Sequence, residues 1–130
     1  GDFYIPEIEA KINGSKTLPA EHFRAGILGD YFAKSMLPKE QLKKIKTFKD
    51  KNPIRKKLDK KTITRFLTQQ ARILDLLDKS RGVSLTKTKT AVSISKWIKL
   101  RLGDTFRVVV YHNERHIVQA NNILSEQKRE

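Results

Sequence analysis

The chain has 130 residues, with 28 Lys and Arg against 14 Asp and Glu, a net charge of +14 at neutral pH. Its length suits one domain; the lack of cysteine excludes disulfides, thiolate nucleophiles and Cys-based metal sites, and no apolar run approaches the roughly 18 residues of a membrane span. A compact chain so strongly basic calls for an anionic partner, and the start, Gly1-Asp2-Phe3-Tyr4, lacks the basic and apolar regions of a signal peptide.

Tyr4-Ile5-Pro6-Glu7-Ile8 reads as extended, with Pro6 suited to an edge strand or an arm. Asn13-Gly14-Ser15 is a turn. Thr17 is placed to cap a helix with Pro19 in its first turn, and Ala20, Phe23, Ile27, Leu28, Tyr31 and Phe32 follow at helical spacing. His22 falls inside that helix as a structural residue. Pro38 opens a shorter helix with Leu42, Ile45 and Phe48 on one side. Asn52-Pro53 is a joint rather than a domain boundary. The clearest helix runs from about Asp59 to Arg81. Its stripe is Ile63, Phe66, Leu67, Gln70, Ile73, Leu74 and Leu77, its last turn holds Lys79 and Arg81, and Gly82 suits the position after its end.

From Val83 the period changes to two. Thr86, Thr88, Thr90, Val92 and Ile94 share one side and Lys87, Lys89, Ala91, Ser93 and Ser95 the other, a β-branched alternation that favours a strand. Ile98, Leu100 and Leu102 then alternate with Trp97, Lys99 and Arg101. Gly103-Asp104 reads as a turn, Phe106–Tyr111 as the strongest strand of the chain, His112–Arg115 as a hairpin loop and His116–Ala120 as the returning strand. The expected fold is α+β: one basic domain over 1–130, mainly helical over 1–82, mainly antiparallel sheet over 83–124 with the helices on one face, and a frayed tail over 125–130. Ala91, Ile94, Ile98 and Leu102 also fit a helical stripe. A helix there, with a 106–120 wing, gives the alternative of a non-enzymatic DNA-binding protein of winged-helix or helix-turn-helix type. Thr86–Ala91 resembles the start of the first motif helix in phage Cro repressors.

The charge is uneven. Residues 1–38 are net −1, 39–61 are net +8 with 11 basic and 3 acidic side chains, and 62–130 are net +7. Lys43, Lys44, Lys46, Arg55, Lys56 and Lys57 in the dense stretch are candidates for phosphate contacts, which bind without reading sequence and weaken with salt. Lys87, Lys89, Lys99, Arg101 and Trp97 are candidates on an open sheet face, where an aromatic stacks on a base and cations meet phosphates. His112, Glu114, Arg115 and His116 bring together in one expected loop the types that RNA transesterification needs: a base for the 2′-OH, an acid for the leaving oxygen and a cation for the phosphorane. A bound metal is not expected, because two His and one carboxylate lack a fourth ligand and lie in positive surroundings. No phosphate-binding glycine loop or carboxylate cluster is present, so neither a small-molecule cofactor nor metal-dependent nuclease chemistry is expected.

Gly103-Asp104-Thr105-Phe106-Arg107-Val108-Val109-Val110-Tyr111, followed by a polar turn and Ile117-Val118, resembles the central strands of RelE-type toxin ribonucleases, in the superfamily of barnase, the colicin tRNases and contact-dependent inhibition toxins. The resemblance covers about 20 of the 130 residues. It implies helices against an antiparallel sheet, metal-independent cleavage of tRNA or other RNA, Arg107 and Tyr111 as RNA-contacting residues, and an acidic immunity or antitoxin partner. It further implies action in the cytoplasm after delivery as part of a larger toxin. The functional expectation is therefore a ribonuclease toxin domain. Besides the DNA-binding alternative, a third reading is an RNA-binding piece of a larger ribonucleoprotein in which only the lysines matter.

Overall fold

A computed structural model describes residues 1–38 and 59–128. It is a mixed fold of four helices and a two-stranded antiparallel sheet: α1 (Tyr4–Gly14), α2 (Ile27–Met36), α3 (Lys61–Lys79), β1 (Lys89–Val92), β2 (Ser95–Arg101) and α4 (Leu102–Gln127). The helix expected to open at Pro38 lies outside the described residues.

The 4–8 segment is helical, not extended. Pro6 falls in the first turn of α1, where its missing N–H costs nothing, and Ile5, Ile8 and Ile12 recur at helical spacing to pack on the core. The helix expected from Thr17 does not begin until Ile27. Side-chain hydrogen bonds hold the preceding segment in irregular backbone. The Thr17 hydroxyl accepts the Ser84 N–H at 3.0 Å and bonds the Thr88 hydroxyl at 3.0 Å. Arg24 N–H goes to the Thr86 hydroxyl, and Gly26 N–H to Asp104 Oδ2 at 2.7 Å. A hydroxyl used on a distant backbone cannot also cap a helix. His22 is therefore exposed on irregular chain rather than set in a helix.

Helix α3 forms where its periodicity places it, and a 3₁₀ turn (Ser80–Gly82) ends it. Its burial is narrower than the apolar stripe. Ile73 and Leu76 are buried, whereas Ile63, Leu67, Leu74 and Leu77 remain exposed. The alternation after Val83 yields a hairpin pairing Lys89 with Arg101, Thr90 with Leu100 and Ala91 with Lys99, with an irregularity before Val92. Residues 95–101 are strand, which removes the helix that a helix-turn-helix reading of 91–102 requires.

The main correction concerns residues 102–127. They form one 26-residue helix, not a turn, two strands and a frayed tail. The region 83–124 is therefore not mainly sheet. Val108, Val109 and Val110 carry strand propensity, but Leu102, Thr105, Phe106 and Val109 recur at helical spacing and all are buried. Tertiary burial of such a stripe overrides local preference. Asp104, read as a turn residue, lies in the first helical turn, where a carboxylate complements the helix dipole.

Helix α4 joins two hydrophobic clusters. Its Leu102, Phe106 and Val109 pack with Ile8 and Ile12 of α1 and with Ile73 and Leu76 of α3. Its Val108 packs with Ala33 of α2 and with Val92 and Leu100 of the hairpin. Between hairpin and helix, the fully buried Thr90 and Thr105 hydroxyls meet at 2.5 Å. Helix α1 lies along β1: Glu7 accepts the Ala91 N–H at 2.7 Å, a strand donor that would otherwise stand open, and Tyr4 Oη accepts the Ser93 N–H just past the strand at 3.3 Å.

Candidate nucleic-acid interface

The hairpin divides its residues by parity. Leu100 is buried and Ile98 packs against the α2–α4 cluster. Lys99 and Trp97 point the other way and are exposed. Trp97 is 95% exposed, an unusual state for the side chain with the most apolar area to bury. Lys87 before β1, Lys89 at its start and Lys96 near the turn are exposed as well. Residues 83–101 contain five basic side chains and no acidic one. Among the described residues, Lys87, Lys89, Lys96 and Lys99 have no ion pair. Lys96 was not legible as a contact residue because its strand parity is that of Ile98; only its place near the turn exposes it.

Arg101 differs from its neighbours. Its guanidinium donates to the carbonyls of Arg24, at 2.6 Å, and Ala25, at 3.3 Å, so it fastens the segment before α2 to the sheet. Lys43, Lys44, Lys46, Arg55, Lys56 and Lys57 lie outside the described residues.

The residues expected in one catalytic loop lie on α4 and are spread around it. His112 and His116, one turn apart, share an exposed face. Their Nε2 atoms are 3.0 Å apart, and His116 Nδ1 meets Gln119 Oε1 at 2.8 Å. Desolvation, reinforced by the neighbouring His116 charge, lowers the His112 pKa below its ordinary value. Glu114, two residues from each histidine, is rotated about 200° from both. Arg115 is buried.

Arg107 and Tyr111 face α2. Arg107 donates to Asp30 at 2.8 Å and to Asp104 at 3.0 Å, and its guanidinium lies 5.7 Å from the centre of the Tyr111 ring. These contacts, that to Asp30 foremost, raise the Arg107 pKa still further. Lys34 completes the cluster 2.7 Å from Asp30, and its hydrogen bond, followed by that from Arg107, holds the Asp30 carboxyl below the ordinary range. Asp104, fully buried, also takes the Gly26 N–H. Gly29 is needed here because a Cβ on it would run into the Asp104 side chain. Gly29, with Gly26, is legible in the sequence as a glycine that either weakens a helix or admits a close neighbour, and here it admits Asp104; Asp30 does not stand out, since its partner Arg107 is more than 70 residues away.

Among the described residues, no group of three or more His, Cys, Asp or Glu is arranged to hold a metal ion, and no helix is long and apolar enough to cross a membrane. Comparison with known proteins found no matching family model, curated protein or solved structure.

Proposed function

We propose that the chain binds single-stranded nucleic acid on the outer face and turn of its hairpin, with Trp97 stacking on a base, Lys87, Lys89 and Lys99 meeting phosphates on that face and Lys96 meeting one at the turn. The observation that carries this reading is Trp97 standing 95% exposed among lysines that no carboxylate neutralises among the described residues. An exposed indole on a basic strand supplies both parts of single-strand recognition, a stacking surface and an electrostatic track. RNA cleavage by the histidines fits the geometry poorly. Acid and base must flank the phosphate, and 3.0 Å between His112 and His116 leaves no room for one.

Trp97 is the single tryptophan of the chain, so its fluorescence reports this site alone. Titration with RNA and DNA strands of about 12 nucleotides should quench it. Labelled-strand anisotropy should show an affinity that falls with salt, at a log–log slope near −0.7 for each lysine engaged. Trp97→Ala should weaken binding about tenfold, the scale of one lost stack. Saturable binding with no change in the Trp97 signal would place the contact elsewhere and defeat the proposal, as would no binding at low salt. Total tRNA incubated with the protein in EDTA should stay intact.

A further inference from the structure

The His112–His116 pair lies on a face of α4 that the hairpin reading does not use. We propose that it is a chelating site for a borderline divalent transition-metal ion of the zinc class. Two histidines four residues apart on a helix point the same way. Zn–N bonds of about 2.0–2.1 Å at a tetrahedral angle require imidazole nitrogens about 3.3 Å apart. The two Nε2 atoms stand 3.0 Å apart, with ring centroids at 4.4 Å, so a small rotation opens the pair to that bite.

The second observation is Gln119. Its Oε1 only accepts, so the 2.8 Å contact fixes the proton of His116 on Nδ1 and leaves the Nε2 lone pair directed at His112. Metal-binding histidines commonly donate their other ring N–H to such a partner, which sets both tautomer and orientation. Without metal, His112 Nε2–H donates to His116 Nε2. On metal binding, His112 moves that proton to its own Nδ1 and presents a second lone pair, so no net proton leaves the protein. Water completes the coordination. Glu114 takes no part because it points to another side of the helix. The other cations acting on His112 are Arg115 and the Gly1 amine; their repulsion of a divalent ion is screened at ordinary ionic strength.

The test is calorimetric titration of the full chain with Zn²⁺ at about pH 7.5, where free imidazole is neutral. H112N and H116N should each lower affinity roughly a hundredfold, as a two-point attachment becomes a one-point attachment. Q119A should lower it about tenfold, as supporting contacts of metal ligands do, and H22N should titrate like the parent. All four substitutions are on exposed or partly exposed side chains, and circular dichroism checks that helix content is retained. Excess Zn²⁺ should raise the thermal midpoint of the parent and of H22N, because the paired site exists only in the folded helix, and leave that of H116N unmoved. Unchanged affinity in H116N, or loss in H22N, overturns the proposal.

Discussion

At the α2–α4 junction Arg107 meets both Asp30 and Asp104; on the hairpin Lys96, near the turn, and Lys99, on the outer face, meet no carboxylate among the described residues. Both regions hold cationic side chains, and they use them differently. The junction satisfies its charge: a fully buried carboxylate, a backbone N–H, two basic side chains and an aromatic ring close on one another. The hairpin leaves its lysines and Trp97 facing solvent. A satisfied cation costs binding energy to divert to a phosphate, whereas an exposed lysine gives up only weakly held counterions. The difference moves Arg107 and Arg101 from the ligand side of the molecule to the structural side, and leaves Trp97 and the lysines as the residues available to a partner.

The largest expected effect breaks the junction. Asp104→Ala removes a fully buried carboxylate, takes one of its two carboxylate partners from Arg107 and leaves the Gly26 N–H without its acceptor. It should cost about 3 kcal/mol in urea unfolding, the scale for removing one partner of a buried pair. Oligonucleotide affinity of the folded fraction should not change. A loss below about 1 kcal/mol, the worth of an exposed ion pair, would mean that the junction is no more structural than a surface contact.

A smaller effect separates the two readings of 106–111. As a strand, Phe106, Val108 and Val110 would share the core face and Val109 would point away. In α4, Val109 is 7% exposed and Val110 is 48% exposed. Val109→Ala should therefore cost about 2 kcal/mol, and Val110→Ala should stay within about 0.5 kcal/mol. The reverse order would restore the strand and dissolve the face that brings His112 to His116.

The sequence was legible where one period dominated. Ile63 to Leu77 admits only a helix, and the threonine alternation before Val92 gave the start of a hairpin. The outer half of the α3 stripe was legible as helix but not as exposed, because periodicity reports a face and not what covers it. Residues 102–120 mislead a local reading because Phe106–Tyr111 satisfies two periods at once. The valines favour a strand locally, and the buried stripe through Leu102, Phe106 and Val109 becomes visible only when α1, α2 and α3 supply surfaces to bury it. The histidines were singled out by type, but their relation was not legible: spacing four is a contact on a helix and two ends of a loop in a hairpin. The Asp30–Arg107–Asp104 cluster depends on an approach between distant segments that no local pattern encodes.

The smallest effect is the dependence of stability on pH, and its sign follows from the same contrast. The Asp30 carboxyl is held below its ordinary value of 3.8, first by the hydrogen bond from Lys34 and then by that from Arg107. Asp2, through Arg65, and Asp75, through Lys79, are lowered as well. A carboxyl with a depressed folded pKa binds fewer protons than in the unfolded chain. The stability it contributes is complete above its unfolded value and is lost as pH falls through the folded one. His112 is lowered from 6.5 because burial disfavours its charged form. Its contribution is therefore complete above about 6.5 and is lost on acidification toward its folded value. The urea midpoint should be level above about pH 7, fall slightly by about pH 5.5 and fall further below about pH 4. His112→Asn should remove the first step, and Asp30→Asn should shrink the second. A midpoint that rises on going to about pH 5.5 would mean that protonated His112 is favoured by the fold, which contradicts the desolvated, cation-flanked position it holds on α4.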